Sequence, residues 1–311
     1  MIPAKIRFLH VITLCVLLSG IGIGQDHRIH RGLVFALRGE RKLKLDLYVP
    51  RQEGKGLRPA VMVIHGGGWV RGGPRNRAAR FFATRLVREG YVVASISYRH
   101  APAHPWPAQI ADCSEAIQWL RHHASEYQLD PNRVGAIGAS AGGHLAALLG
   151  TVADAASPRA KALVRRHSTR PQCVVAYSSP MVFDLTEDAS VTGRRLVTTF
   201  LVGLRNPDDA KVRALLHKRA REASPLHHLS KSSAPLLMVH GTGDPLVPLK
   251  QAQRMATAMK ARGLTHELIP VRSKGHLWYL YGARGESRPA WWKRTTAFLD
   301  KHLSLKTQAA K

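Results

Sequence analysis

The stretch GAIGASAGGH, residues 135–144, decides the fold class of this chain. Within it, Gly138, Ser140 and Gly142 form the pattern G-x-S-x-G, which follows an apolar run of strand character and precedes a helix-like run of small residues. A serine on such a turn sits on a strained backbone with its hydroxyl exposed, and larger flanking residues would collide there. The pattern predicts that Ser140 is a nucleophile; the alternative is a glycine-rich packing turn.

Apolar strand patterns alternate with amphipathic helix patterns along most of the chain. Two antiparallel strands are predicted within residues 32–50, and the apolar run VMVI, residues 61–64, predicts the next strand. Apolar strands that alternate with helices indicate a parallel sheet covered on both faces. The sequence therefore predicts an α/β fold with a mostly parallel central sheet. Ligands bind such sheets at the carboxyl ends of the strands, where the glycine-rich clusters of this chain fall.

One long stretch, residues 181–233, breaks this alternation because it holds short helical patterns and no clear strand. Connections of this length in a compact domain usually carry a role. We therefore expect a small helical cap over the carboxyl edge of the sheet, inserted into a single domain that spans residues 25–311. A peripheral excursion is the alternative.

The first 24 residues have the pattern of a targeting segment. Lys5 and Arg7 precede an apolar run, residues 11–24, that is short for a membrane-spanning helix. Residues 1–24 are therefore predicted to be a signal peptide, which implies a secreted or periplasmic protein. An uncleaved membrane anchor is the alternative.

Charge and cysteine content limit the classes of partner. The chain of 311 residues has a formal net charge of +27, which favours non-specific binding to acidic surfaces. The basic residues are scattered and accompany no nucleic-acid-binding motif, so no specific nucleic-acid partner is predicted. Beyond the targeting segment, Cys113 and Cys173 permit one disulfide, and we expect two buried free thiols instead. No cysteine–histidine cluster has the spacing of a zinc site, so no metal is predicted.

Two later strand ends supply the partners that a nucleophilic serine needs, namely a base that takes its proton and an acid that orients the base. Asp244 lies in the loop after the strand pattern PLLMV, and His276 follows the last predicted strand. Both are expected at the same edge of the sheet as Ser140. A turn-capping aspartate and an ordinary core or surface histidine are the alternatives.

The motifs HGGGW (65–69), GASAGGH (138–144), HGTGDPLVP (240–248) and GH (275–276) occur in this order along the chain. Together they resemble the α/β-hydrolase esterases of the hormone-sensitive-lipase and carbohydrate-esterase (acetyl xylan or feruloyl esterase-like) groups. The resemblance spans about residues 35–303 and implies a serine esterase that requires no cofactor. It also implies that backbone N–H groups of Gly67, Gly68 and Ala141 form the oxyanion hole.

Two details of the motifs favour the carbohydrate-ester branch. Ala139 precedes the nucleophile, where the hormone-sensitive-lipase group usually has an acidic residue, and Trp69 follows the three glycines. We therefore expect hydrolysis of a small acetyl or feruloyl ester, on a small molecule or a polysaccharide. The HGG-x-W pattern also occurs in formamidases similar to kynurenine formamidase, so an amidase or peptidase is an alternative. A catalytically idle binding protein on the same fold is another.

The two residues that flank the glycines have less specific interpretations. Trp69 is expected either to line the substrate pocket or to pack in the core. His65 is expected to tie its loop to a neighbouring carbonyl group rather than to act as a base.

Overall fold

One mixed sheet forms the centre of the protein. The computed structural model describes residues 27–51, 56–183, 190–280 and 289–303. In these ranges the strands are His27–Arg38 (β1), Arg41–Pro50 (β2), Arg58–Ile64 (β3), Val92–Ile96 (β4), Leu129–Ala139 (β5), Val174–Tyr177 (β6), Leu236–Gly241 (β7) and His266–Val271 (β8). Their order in the sheet is β1-β2-β4-β3-β5-β6-β7-β8. β2 runs antiparallel to both of its neighbours, and the remaining pairs are parallel.

Helices cover both faces of this sheet. The helices are Arg77–Arg88 (α1), Ala108–His122 (α2), Ala141–Thr151 (α3), Val191–Val202 (α4), Ala210–Glu222 (α5), Lys250–Ala261 (α6) and Ala290–Leu303 (α7). Buried side chains of α1 and α7 form one apolar layer, and those of α2, α3 and α6 belong to the other. The predicted α/β class, with a mostly parallel sheet between helical layers, is confirmed.

Strand β3 illustrates how the sequence builds two apolar layers from one strand. Its residues Ala60–Ile64 are all buried. Because successive side chains of a strand point to opposite faces, Met62 and Ile64 pack in the layer of α2 and α3, whereas Val61 and Val63 pack in the layer of α1 and α7. A strand with two buried faces reads as a continuous apolar run, as VMVI does.

The first strand differs from its prediction, because β1 begins at His27 rather than near residue 32. Its pairing with β2 contains register shifts between His30 and Leu33 and between Val34 and Ala36. Such irregularities break the alternation of apolar and polar residues by which a strand is recognised in a sequence. The polar start of β1 was therefore not visible in the pattern.

Two helices lie between β6 and β7, inside the range predicted for the cap. Each begins at a capping side chain: Ser190 Oγ accepts from the Gly193 N–H, and Asp209 Oδ1 accepts from the N–H groups of Lys211 and Val212. We call residues 190–229 the cap. Residues 184–189 of the predicted insertion lie outside the described residues.

The predicted signal peptide, residues 1–24, also lies outside the described residues. Within the described ranges, every helix is too short or too polar to cross a membrane. Cys113 and Cys173 are buried and unpaired, which confirms the prediction of free thiols.

Gly142 lets α3 approach β3 closely, and its replacement tests this contact. A Cβ atom on Gly142 would lie 2.0 Å from the carbonyl oxygen of Ile64. We expect Gly142→Ala to lower the free energy of unfolding by about 1–3 kcal/mol or more, because backbone must move to accept the methyl group. Urea denaturation at neutral pH measures the change.

Gly73→Ala is the matched control, because nothing lies within 4 Å of a Cβ atom built there. Its free energy of unfolding is expected to change by less than about 1 kcal/mol. Equal midpoints for Gly142→Ala and the wild type would contradict the close approach of α3 and β3.

Candidate active site

Ser140 lies on a strained turn between β5 and α3. Its φ of 54° and ψ of −126° place a non-glycine residue in a backbone region that such residues rarely adopt. The flanking glycines make the turn possible: a Cβ atom on Gly138 would lie 2.4 Å from the carbonyl carbon of Gly142, and one on Gly143 would lie 2.0 Å from Ser179 Oγ. The N–H of Ser140 donates to the Tyr177 carbonyl at 2.8 Å. The close packing at Gly138 and Gly143 and the hydrogen bond to Tyr177 together fix the conformation of the turn.

The structure brings together the three residues predicted as nucleophile, base and acid. His276 Nε2 lies 2.9 Å from Ser140 Oγ, and His276 Nδ1 lies 2.8 Å from Asp244 Oδ2. Since a carboxylate oxygen only accepts, Nδ1–H donates to Asp244, which leaves Nε2 free to accept from the Ser140 hydroxyl. The side chain of Asp244 is fully buried, and that of His276 is 13% exposed. This geometry is the one that proton transfer from serine requires.

The acid is held ionised and in one orientation. Burial alone would raise the pKa of Asp244, but the hydrogen bond from His276 and those from the N–H groups of Val247 and Leu246 hold it below its ordinary value. Both N–H groups donate to Oδ1, at 2.9 and 3.0 Å, so Oδ2 is left for His276. His240 Nε2 lies 3.6 Å from the same Oδ2 and donates to the Val247 carbonyl at 2.7 Å. The loop after β7 is therefore ordered around this carboxylate.

The loop HGGGW, residues 65–69, passes directly behind Ser140; we call it the glycine loop. A Cβ atom on Gly66 would lie 2.8 Å from the Ala139 carbonyl oxygen and 3.5 Å from Ser140 Cβ. Gly67, Gly68 and Trp69 have φ values of 124°, 60° and 61°. Only glycine adopts such angles readily, so Gly67 and Gly68 meet a backbone requirement, whereas Gly66 meets a steric one. The oxyanion-hole role of Gly67, Gly68 and Ala141 remains a prediction.

His65 anchors the start of the glycine loop, as expected. Its Nδ1 lies 2.8 Å from the Gly66 carbonyl oxygen, and its ring stacks on Tyr98 with 4.1 Å between centroids. Burial lowers the pKa of His65 to about 4, so the ring is neutral at pH 7 and Nδ1–H donates to the carbonyl. The prediction that this ring ties the loop to a neighbouring carbonyl is confirmed.

Trp69 combines both roles that the sequence left open. Its side chain is 3% exposed and stacks on Phe200 of the cap, with 4.4 Å between ring centroids. It also lines a cavity next to Ser140. Its indole Nε1–H donates to His144 Nδ1 at 3.2 Å.

His144 is a polar member of the site whose role the sequence does not indicate. It is fully buried, and its Nε2 lies 2.7 Å from the Ala223 carbonyl oxygen. The available signal was a single imidazole in the first turn of an otherwise apolar small-residue helix, one turn after Ser140. Its partners, 75 and 79 residues away along the chain, are not visible in that pattern.

An apolar cavity of about 160 Å³ opens beside Ser140. Its walls come from the glycine loop, the cap and the loops after β6 and β7, and include Gly68, Trp69, Val182, Leu196, Leu216 and Val247. Ser140 itself lines the cavity. In the described ranges, no group of three or more His, Cys, Asp or Glu side chains is placed to hold a metal ion.

Comparisons with known proteins show the family of this chain. A family model named BD-FAE matches residues 45–259. The Mycobacterium tuberculosis protein named "Probable carboxylic ester hydrolase LipM" is 32% identical over 198 residues, which cover 64% of this chain and 44% of the relative. The chain spans about half the length of the curated relatives it matches.

Solved structures extend the likeness over most of the chain. The esterase Est2 of Thermogutta terrifontis superposes with a TM-score of 0.70 at 26% identity, covering 91% of this chain and 95% of that one. An acetyl ester-xyloside bifunctional hydrolase from Caldicellulosiruptor lactoaceticus has a TM-score of 0.71 at 24% identity, covering 87% and 95%. The latter likeness concerns the fold alone.

Proposed function

The chain belongs to the BD-FAE family and has the α/β-hydrolase fold, and from this premise we propose that it is a serine hydrolase of small carboxylic esters. The observation that carries the proposal is the hydrogen-bonded series Ser140–His276–Asp244 at the mouth of an apolar cavity. Nucleophile, base and orienting acid in this geometry perform acyl transfer.

In the first half of the proposed reaction, Ser140 Oγ attacks the ester carbonyl while His276 Nε2 takes its proton. Asp244 keeps Nδ1 protonated and stabilises the imidazolium that forms. The negative charge on the carbonyl oxygen is stabilised by the backbone N–H groups of Gly67 and Gly68 in the glycine loop and of Ala141 at the N-terminus of α3. His276 then gives its proton to the departing alcohol, which leaves an acyl group on Ser140.

In the second half, His276 activates a water molecule that attacks the acyl-enzyme. The carboxylic acid leaves as Ser140 Oγ takes its proton back from Nε2. Every proton moves through the same nitrogen, so the orientation of the ring by Asp244 matters in both halves.

The cavity indicates which part of the ester it accommodates. The alcohol must leave on the side of His276 Nε2, because that nitrogen gives it a proton. Ser140 and Gly68 of the glycine loop both line the cavity, and this favours the acyl group as its occupant. At about 160 Å³ it is close to the size of cavities that hold one benzene molecule, which corresponds to an acyl group of about six non-hydrogen atoms. This favours acetyl to hexanoyl groups and disfavours feruloyl.

A panel of p-nitrophenyl esters from acetate to decanoate, with methyl ferulate and p-nitroacetanilide, tests the proposal. We expect the highest kcat/KM within the acetate-to-hexanoate range, and at least about tenfold lower values for decanoate, which exceeds the cavity. Amide cleavage faster than cleavage of any ester would replace the proposal by the amidase alternative. Absence of turnover together with no labelling of Ser140 by a fluorophosphonate probe would indicate an idle binding protein.

Two finer parts of the proposal rest on the sequence. Export to the periplasm or the cell exterior rests on the charged and apolar pattern of residues 1–24. The proposal that the alcohol part of the ester is a polysaccharide rests on the motif resemblance. The net charge of +27 favours non-specific binding of the protein to acidic surfaces.

A further inference from the structure

We propose that His144 is a positioning residue that connects the cap to the glycine loop and thereby holds the loop in its oxyanion-binding conformation. The inference deepens the proposed function and rests on it. His144 is not among the described residues that line the cavity, and in this proposal it acts through Trp69.

The hydrogen bonds of His144 define a single protonation state. The indole of Trp69 can only donate, so His144 Nδ1 accepts and carries no proton. The Ala223 carbonyl can only accept, so Nε2–H donates to it. Burial lowers the pKa of His144 to about 3, which keeps the ring neutral over the working range of an esterase. One tautomer therefore connects a carbonyl at the end of α5 to the ring of Trp69.

Trp69 needs an external restraint. Its φ of 61° is unusual for a bulky aromatic residue, and it directly follows Gly67 and Gly68, which are also at positive φ. A residue in this region keeps such a conformation only where the surroundings enforce it. A change in φ at Trp69 would move the ring relative to the peptide that joins Gly68 to Trp69, so contacts that fix the ring also restrain that peptide. The Ala101 N–H donates to the Trp69 carbonyl at 3.1 Å and restrains the backbone, whereas the hydrogen bond to His144 and the stack on Phe200 restrain the ring.

The cap also contacts the glycine loop directly. Leu196 of α4 lies over Gly68, where a Cβ atom would approach Leu196 Cδ2 to 2.9 Å. Phe200, one helical turn further along α4, carries the stack on Trp69. The Leu196 contact is non-directional and the stack on Phe200 fixes only the plane of the indole, whereas the path Ala223–His144–Trp69 is directional. The polar path is therefore the one that can set the rotation of the indole and not only its position.

A purely structural role would not require an imidazole. Phe183 and Phe200 surround His144, with ring centroids 4.9 and 5.7 Å away, so an apolar side chain would suit the packing. A polar ring in such surroundings is favourable only when its hydrogen bonds are made, and both are. This fully satisfied pair of hydrogen bonds is the observation that favours positioning over packing.

Two substitutions of His144 separate these roles. His144→Phe keeps an aromatic ring and loses both hydrogen bonds; we expect kcat to fall about 10- to 100-fold, as for a small displacement of groups that act on the transition state. KM should stay within about threefold, because the oxyanion forms only in the transition state. His144→Gln can accept from Trp69 through Oε1 and donate to Ala223 through Nε2. It is expected to retain kcat within about threefold of wild type.

Trp69→Phe tests whether His144 acts through the indole. The variant keeps an aromatic ring that can stack on Phe200 but removes the indole N–H that donates to His144. It should therefore lower kcat by a factor similar to that of His144→Phe. The double variant should be no slower than His144→Phe alone, because both changes break the same hydrogen bond. A trifluoromethyl ketone, which forms an analogue of the tetrahedral intermediate, should bind to each of these variants more weakly than to the wild type, by the factor that the variant loses in kcat/KM.

Thr151→Val is the matched control on the same helix. Thr151 is buried and bonds only to carbonyl groups of α3 itself, at Ala147 and Leu148. It should alter the midpoint of thermal unfolding without altering kcat. Unchanged kcat in His144→Phe at full folding, equal losses in His144→Gln and His144→Phe, or additive losses in the double variant would each overturn the proposal.

Failure of this inference is distinguishable from failure of the proposed function. Nitrogen-15 NMR of the imidazole in unmodified protein should give protonated Nε2 and unprotonated Nδ1 for His144 from pH 5 to 9, whatever reaction the protein catalyses. The reverse tautomer would overturn the inference even if esters are hydrolysed. Absence of all ester turnover in the wild type would instead overturn the proposed function.

Discussion

Ser140→Ala is expected to lower kcat/KM for p-nitrophenyl acetate by about 10⁴-fold or more, to the level supported by the remaining site. Without Oγ no acyl-enzyme can form, and His276 has no hydroxyl at 2.9 Å from which to take a proton. The residual activity would come from water activated by His276 and from the oxyanion hole. Stopped assays with millimolar substrate measure this residual activity, with a reaction without enzyme as the blank.

Ser140→Ala/His276→Ala should be about as slow as either single variant, since residues that act as a unit have non-additive effects. Ser95→Ala is the matched control. Ser95 is a buried serine of β4 whose hydroxyl donates to the Pro74 carbonyl, away from the cavity. It should leave kcat unchanged. Wild-type activity in folded Ser140→Ala would refute the assignment of the nucleophile.

Asp244→Asn is expected to lower kcat about 10⁴-fold at neutral pH by selecting the wrong tautomer of His276. The N–H groups of Leu246 and Val247 both donate to Oδ1, so the amide oxygen of asparagine should occupy that position. The NH₂ group then faces His276 Nδ1 and donates to it. Nε2 consequently carries the proton and can no longer accept one from Ser140.

The loss in Asp244→Asn should be in kcat, with KM and the unfolding midpoint close to wild type. Asp130→Asn is the control, because Asp130 is also a buried carboxylate, which accepts from the Asn132 N–H and pairs with Arg133 at the start of β5. It is expected to affect stability but not kcat. A comparable loss of kcat in Asp130→Asn would indicate that the effect of Asp244→Asn is indirect.

The parts of the site that the sequence predicts are those carried by strand ends. Ser140, Asp244 and His276 each follow a strand of a largely parallel sheet, and the carboxyl ends of such strands meet at one edge. Local strand patterns therefore predict a contact between residues far apart in the sequence: Ser140 Oγ and His276 Nε2, 136 positions apart, lie 2.9 Å from each other. Their catalytic roles remain predictions that the variants above test.

The parts that the sequence does not predict depend on side chains from separate elements. Nothing local to His144 indicates that it accepts from Trp69 and donates to Ala223. The start of β1 was hidden for a different reason, because its register shifts disrupt the alternation of side chains. Short-range periodicity reveals elements and their order, whereas contacts between the cap and the glycine loop require the folded chain.

The two buried cysteines lie in different layers of the molecule. Cys113 belongs to the layer of α2 and α3, and Cys173 to the layer of α1 and α7. Burial raises the pKa of both thiols, so neither is reactive in the closed protein. A thiol reagent can modify each one only when its own layer opens. The rates of modification at the two sites therefore measure the opening equilibria of the two helical layers separately, in the unaltered protein and without an introduced probe.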